Sequence, residues 1–484
     1  MPWVSLREPP AGLDASYRPA KLVPDHTEDK ISSSAKGHSP VGLYVFLVTY
    51  AICLGLLLPK LSLWLDEILD LIGARRQNSW DLINYVRMNP GAVPLGYLAQ
   101  AAAIRTFGLS AFSGRLPSAL SSLASCVGVY FLARRTVVRW PLLGVLAFAI
   151  CPVQLRYALE ARGYALALAL SICASLLFCL MLEPSRVISF QVLYGLCVLA
   201  GVYTQPFSLF VPMAHLAWLS LVAERVVRRR LLVSVSLIIL LSGLLFLPWY
   251  VYVSGAWMEG ITAYHFHGTI TLRSIPRVLR ELVGMGYVGT GIVLVGALFA
   301  VTSRKMSRSD VLFWVFYAFV PVACVLVVDR TFGYFLAIRQ VIFVLPPLSV
   351  LIALAAERTG RLGIALGLTL LISAFWNDME LFNRPREDWQ SAAGLLKTEA
   401  DEGACVLFAP ADSLELYTFF VPELSKQECT NGNFGGRNRV DLAVSPYEVD
   451  KAYLGLERQL GRSGFSKVGE LNAIGPRIEI FQRK

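Results

Sequence analysis

The chain has 484 residues, 55% of them hydrophobic and only 16% charged, with a mean hydropathy of +0.56. Soluble domains carry about 25% charged residues and disorder needs low hydrophobicity, so neither describes the bulk of the chain. The net charge of +10 does not point to nucleic acid, because the basic residues sit in short connectors between apolar runs. The composition is that of a polytopic membrane protein, whose cytoplasmic loops concentrate Lys and Arg.

The first 41 residues are polar, with five basic and five acidic side chains. No apolar run lies near Met1, so residues 1–41 are expected to be a disordered cytoplasmic tail, with Val41 to Leu58 as an uncleaved signal anchor. Further apolar runs of spanning length lie at 112–132, 140–155, 164–182, 188–203, 207–223, 231–252, 283–301, 311–328, 337–356 and 362–377, making 11 spans in all. With the amino terminus inside, the inside connectors carry 13 basic residues: Arg134, Arg135, Arg139, Arg186, Arg225, Arg228, Arg229, Arg230, Arg304, Lys305, Arg308, Arg358 and Arg361. Residues 92–107 contain Arg105, and counting them as a span would turn all these clusters outward. They are expected as a helix at the external surface.

An odd number of spans leaves residues 378–484 external, as a small α/β domain. Helices are expected at 386–400 and 447–461, and strands at 404–408 and 477–482. Seven of the nine cysteines fall in spans; Cys405 and Cys429 are in the external domain, where an oxidising compartment can pair them.

The first external loop, 59–111, places Leu61, Trp64, Leu65, Ile68 and Ile72 at helical spacing, with Asp66 and Asp70 on another face. Such a helix would lie in the interface with its carboxylates toward water. A second helix is expected after Ser79, an N-cap with Asp81 in its first turn. The pair Asp66-Glu67 reads either as a solvated face or as a general base or metal ligand turned toward a lipid-borne substrate. The segment 156–164 holds Arg156, Glu160, Arg162 and Tyr164 at one external span end. It fits aromatic-belt anchoring, or an anion site for phosphate on the side where arginine is disfavoured. Arg115 has the same two readings, and Arg330 and Arg339 flank another external loop. His215 lies inside a span and reads as a packed residue. His265 and His267 form a His-x-His in the loop 253–282, which alone is not a metal site. No clear ligand set is present, so a divalent metal requirement stays open.

Several ordered motifs resemble the GT-C membrane glycosyltransferases, the group that contains protein O-mannosyltransferases and the bacterial lipid A aminoarabinose transferase. They are Trp64-Leu65-Asp66-Glu67, the run from Asn89-Pro90-Gly91 to Tyr97, Gly114-Arg115-Leu116-Pro117, and the 156–164 segment. Arg339-Gln340 ahead of Leu345-Pro346-Pro347 and Arg386-Glu387-Asp388-Trp389 complete the set. The likeness covers roughly residues 42–400, with a transmembrane domain at 42–377. It implies an all-α membrane fold with external juxtamembrane helices, and a sugar donor carried on a polyprenyl phosphate. It further implies Asp66 as the base that takes the acceptor's proton and Glu67 as an orienting residue that pairs with Arg115. The expected donor-phosphate ligands are Arg115, Arg156, Arg162 and Arg339, with Glu160 and Tyr164 beside them; Tyr97, His265 and His267 are candidates on the acceptor or loop side. The chain departs from the family at Asn89-Pro90-Gly91, where His-Pro-Pro is frequent, and at Gln205-Pro206, where His is frequent.

The expected function is inverting transfer of that sugar to a glycan, lipid or protein at the external face of a bacterial inner membrane. A transporter or lipid-linked-sugar flippase is the alternative, and a scaffold subunit a third class. The transporter predicts charges buried within spans, whereas the spans as delimited above are nearly free of acid and base.

Overall fold

The computed structural model describes residues 41–136, 139–183, 187–263, 274–283, 286–302, 308–332, 337–383, 387–429, 434, 436–446 and 451–484. His265 and His267 lie outside the described residues, as do Arg186, Arg304, Lys305 and Arg386. The chain divides into two units, 1–45 and 46–484; Val41–Val45, the described part of the first, open helix α1 (Val41–Leu57).

Three short helices follow: α2 (Leu65–Ala74), α3 (Ser79–Met88) and α4 (Pro94–Phe107). The cap of α3 is Asn78, whose side chain accepts from the Trp80 N–H, so the helix starts one residue earlier than expected from Ser79. In α4, Pro94 supplies a preset φ at the first position, and Gly108 at φ 79° ends the helix. At 14 residues α4 is about 21 Å long, short of a hydrocarbon core. Its Arg105 donates to the backbone oxygens of Arg76 and Gln77.

The apolar helices are α5 (Ala111–Ala133), α6 (Pro141–Ala149), α7 (Pro152–Ala158), α8 (Tyr164–Met181), α9 (Val187–Val202), α10 (Phe210–Leu221) and α11 (Arg225–Ala263). After α12 (Ser274–Val283) come α13 (Gly286–Thr302), α14 (Arg308–Phe332), α15 (Ile338–Val341), α16 (Leu345–Thr359) and α17 (Arg361–Asn383). Among the described residues six helices are long and apolar enough to cross a membrane, and α6 with α7, bent by 66° at the break between them, has the geometry of a broken span or a re-entrant loop. The bend has a local cause. Pro152 has no N–H to continue α6 and opens α7, as prolines do at first helical positions. Of the eleven runs expected to span, six coincide with these long apolar stretches and one with the bent pair; the other four, at 41–58, 188–203, 207–223 and 283–301, overlap shorter apolar helices. Among the helices that outlast their runs, α14 carries Asp329 and α17 carries Asp378, both buried, so these helices hold acid that the sequence boundaries had left out.

The C-terminal part opens with α18 (Trp389–Asp401), capped by Asp388, and continues with β1 (Cys405–Ala409), α19 (Leu414–Thr418), β2 (Arg439–Val444), α20 (Lys451–Arg462), β3 (Phe465–Asn472) and β4 (Arg477–Arg483). The sheet order is β1-β2-β4-β3, with β1 parallel to β2 and the other pairings antiparallel. Cys405 and Cys429 form a disulfide across 24 residues. Strands β2 and β3 are additions to the sequence reading.

One apolar cluster joins the sheet to the short helices. Val406, Phe408, Ala443 and Ile478 of the sheet, with Trp389, Leu396 and Tyr417, belong to the same buried core as Ile68, Leu71 and Ile72 of α2. Each of these three α2 side chains is fully buried, worth roughly 1.5–3 kcal/mol apiece. This core fixes the face of α2 that its carboxylates do not use.

Candidate functional site

Helix α2 presents three carboxylates, and the structure gives each a different environment. Adjacent helical positions lie about 100° apart, so Asp66 and Glu67 cannot share a face. Glu67 points inward and is 1% exposed. Its Oε1 accepts from Arg115 Nε at 2.7 Å and from the Ala161 N–H at 2.7 Å, and its Oε2 accepts from Arg115 Nη2 at 2.6 Å. The two parallel bonds make a fork-to-fork ion pair, the strongest arrangement of these groups.

Arg115, on the second turn of α5, engages all five of its N–H donors inside the protein. Besides Glu67 it donates from Nη1 to the oxygens of Leu58 and Leu61 and from Nη2 to that of Ser62. These carbonyls trail from the end of α1, where unpaired oxygens and the helix dipole favour a cation. Arg115 was expected among the phosphate ligands, yet it has no donor left for one. It staples the end of α1 to α2 through the pairing with Glu67 that the sequence resemblance had implied, and Glu67 in turn holds the 159–163 turn through Ala161.

Asp66 faces the other way. Its side chain is 30% exposed, and Arg162 Nη1 lies 3.2 Å from its Oδ2. Among the described residues Arg162 is its one ion-pair partner. The same Nη1 stands 3.5 Å from Asp70 Oδ1, which also accepts from the Tyr97 hydroxyl at 2.7 Å. Asp70 was expected to face water with Asp66; it is instead 6% exposed, covered by Tyr97 from α4 and by Arg162. Burial pushes the Asp70 carboxyl up to about 6, against the opposing pull of Arg162 and Tyr97. The Tyr97 phenol is raised well above its ordinary value, by burial first and then by Asp70, so it remains a donor. Burial works against the charge on Arg162, but Asp70, Tyr164 and Asp66 outweigh it and keep the guanidinium charged.

Arg162 also donates from Nη2 to the Tyr164 hydroxyl at 3.0 Å, with its guanidinium 5.3 Å from that ring's centre. Tyr164 in turn meets Tyr157 edge-on, centroids 4.9 Å apart. Glu160, Tyr164, Arg339 and Arg156 all lie within electrostatic reach of the Tyr157 hydroxyl. Four of the expected residues, Arg156, Glu160, Tyr164 and Arg339, thus lie near one tyrosine, and Arg162 links this group to Asp66 through Tyr164.

Two backbones must approach closely for this to assemble. A Cβ built on Gly96 of α4 would sit 3.1 Å from Gly163 Cα, so α4 packs directly on the turn that carries Arg162. Ser118 of α5 donates to the Arg162 carbonyl at 2.9 Å and holds the same turn. Neither Asp70 nor Tyr157 was singled out as a site residue from sequence; the i,i+4 spacing of Asp66 and Asp70 was the available signal for the first. No group of three His, Cys, Asp or Glu side chains that would hold a metal occurs among the described residues. His215 is fully buried, hydrogen-bonded to Tyr194 and Ser175, as a packed residue would be.

No protein-family model and no curated protein matches the sequence. Solved structures do match. ArnT from Cupriavidus metallidurans bound to undecaprenyl phosphate superposes with a TM-score of 0.59 at 14% identity, over 91% of this chain and 98% of that one. Its apo state gives 0.58 at 14% identity, over 92% and 98%. The archaeal oligosaccharyltransferase AglB from Archaeoglobus fulgidus, in complex with an inhibitory peptide and a dolichol-phosphate, gives 0.50 at 11% identity, over 90% of this chain and 74% of that one. These likenesses give the chain the fold of ArnT and AglB, built on at least six helices long and apolar enough to cross a membrane.

Proposed function

We propose that this chain moves a sugar from a polyprenyl phosphate to an acceptor hydroxyl at the external face of the membrane. The observation that carries the reading is the division of labour on α2: Glu67 is enclosed by Arg115, while Asp66 stays open beside Arg162. The fold it shares with ArnT and AglB, whose structures hold undecaprenyl phosphate and a dolichol-phosphate, supports that donor class.

The chemistry asks little of the protein. The acceptor oxygen attacks the anomeric carbon, the bond from that carbon to the phosphate oxygen breaks, and the lipid phosphate leaves with the electron pair. Asp66 takes the acceptor's proton in this step. Arg156, Arg162 and Arg339 stabilise the departing phosphate, whose charge grows as the bond breaks. Attack from the face opposite the leaving group inverts the anomeric centre. Tyr97 holds Asp70, and Asp70 holds Arg162, so the arginine is preorganised before substrate arrives. In this reading the amino terminus is cytoplasmic and the C-terminal α/β part, 378–484, is external.

The test is a donor screen with the full chain in nanodiscs, using undecaprenyl phosphates that carry single hexoses or pentoses. Transfer or slow donor hydrolysis by the wild type, abolished in Asp66→Asn, is expected. Equal turnover by Asp66→Asn would remove Asp66 as the base.

A second reading, a transporter or lipid-linked-sugar flippase, draws on Asp329 and Asp378. Both are buried on apolar helices, and among the described residues Asp329 has no hydrogen-bond partner for either oxygen. Intramembrane acids of this kind mark transport pathways. Donor translocation in vesicles that survives Asp66→Asn but fails in Asp329→Asn would favour it.

A further inference from the structure

The first N–H of α2 belongs to Leu65, and its acceptor lies 322 residues away: Glu387 Oε2, at 2.9 Å. Glu387 is 4% exposed and its Oε2 also accepts from Trp389 Nε1. It sits where the chain enters α18. Its neighbour Asp388 caps that helix through the Ser391 N–H, and the Asp388 N–H donates to the Ile474 oxygen at 2.7 Å. Gly475, at φ 96°, comes so close that a Cβ there would lie 3.0 Å from Glu387 Cγ. The Glu387 carboxylate is thus wedged between the sheet connection and the start of α2.

The other end of α2 is held by the same part of the chain. Arg76 Nη2 meets Glu415 Oε1 at 3.3 Å, and Arg75 lies 5.4 Å from the centre of the Phe419 ring. Between the two ends the apolar core runs without interruption from α2 into the sheet. Leu65 immediately precedes Asp66, so whatever fixes the first turn of α2 fixes the base.

We propose that Glu387 is a positioning residue: its carboxylate completes the first turn of α2 from the C-terminal part and thereby sets Asp66 against the substrate. This rests on Asp66 being the base. The first orphan donors of a helix need an acceptor, and a negative charge there opposes the helix dipole. A capping contact of this kind joins the sheet side directly to the catalytic turn at Leu65.

The test compares the wild type, Glu387→Ala and Glu387→Gln as full chains in nanodiscs by amide hydrogen exchange and by steady-state kinetics. In Glu387→Ala the α2 amides are expected to exchange about tenfold faster, the scale of a lost cap, while β1, β2 and β4 keep wild-type protection. Glu387→Gln, which keeps an oxygen acceptor but not the charge, should fall between. With the donor found in the screen, kcat should drop by about tenfold or more while KM stays within about twofold. Unchanged α2 exchange in both variants overturns the proposal, and so does faster exchange of the sheet together with α2, which would mean general loosening. If Glu387→Ala does not fold, Glu387→Gln decides. If the wild type transfers no sugar, the transferase reading fails by itself. The exchange comparison then still decides whether Glu387 holds α2.

Discussion

Glu67 and Arg115 form a closed pair: the carboxylate and guanidinium are 1% and 2% exposed and meet through two bonds of 2.7 and 2.6 Å. A buried pair is a weak source of net stability, but removing one member strands the other charge without water. Glu67→Gln and Arg115→Met should therefore each destabilise the protein by about 3–5 kcal/mol. The double substitution should cost less than the two singles added together, because the stranded charge is gone. Thermal unfolding of the three variants in one detergent checks this.

Asp66→Asn should behave in the opposite manner. The residue is half-buried, and its partner Arg162 keeps Asp70, so folding stability should change by less than about 1 kcal/mol while transfer is abolished. A variant that loses both stability and activity would place Asp66 with Glu67, in the frame of the protein.

Asp70 makes the site sensitive to mild acid. Its carboxyl titrates at about 6 in the folded chain against an ordinary value of 3.8. A raised value means the folded form keeps the proton longer, so this group's contribution to stability is complete below about pH 4 and disappears as pH rises through 6. The wild type should accordingly lose stability relative to Asp70→Asn across that interval. Activity should run the other way, because the charged form is the one that holds Arg162. kcat/KM is expected to fall below about pH 6, with the limb missing from Asp70→Asn. Tyr97→Phe removes a bond that favours the carboxylate, so its acid limb should move to higher pH.

Gly96→Val tests the close approach between α4 and the Arg162 turn. Its Cβ meets Gly163 Cα at 3.1 Å, a backbone atom that cannot rotate away. Overpacking of this kind costs about 1–3 kcal/mol, and the displaced Tyr97 and Arg162 should reduce transfer at least as much as Tyr97→Phe does. Melting temperature and turnover, measured on the same preparation, report the two effects.

The membrane helices were legible in the sequence because composition alone marks them, and the acidic pair stood out as charge next to an apolar run. Its division was not legible. The acceptors that surround Arg115 are backbone oxygens at 58, 61 and 62, and no letter in the sequence announces a carbonyl. Asp70 looked solvated because its helix reads as amphipathic; its cover comes from Tyr97 and Arg162, 27 and 92 positions along the chain. Strand β2 went unseen for a related reason: Arg439 and Asp441 break its apolar pattern, and the two side chains bond to each other at 3.3 Å. The ends of α14 and α17 were drawn at the first acid, although a helix continues past an acid that the protein encloses.

The geometry of α2 also gives meaning to the order of two letters. A chain with Asp66→Glu and Glu67→Asp together would keep its composition, mass, charge and hydropathy. The carboxylate at 67 would then be one methylene short of the Arg115 fork and of the Ala161 N–H, and that at 66 one methylene too long for Arg162. No measure of similarity that pools acids would register the exchange, yet both the staple and the open carboxylate would be out of place.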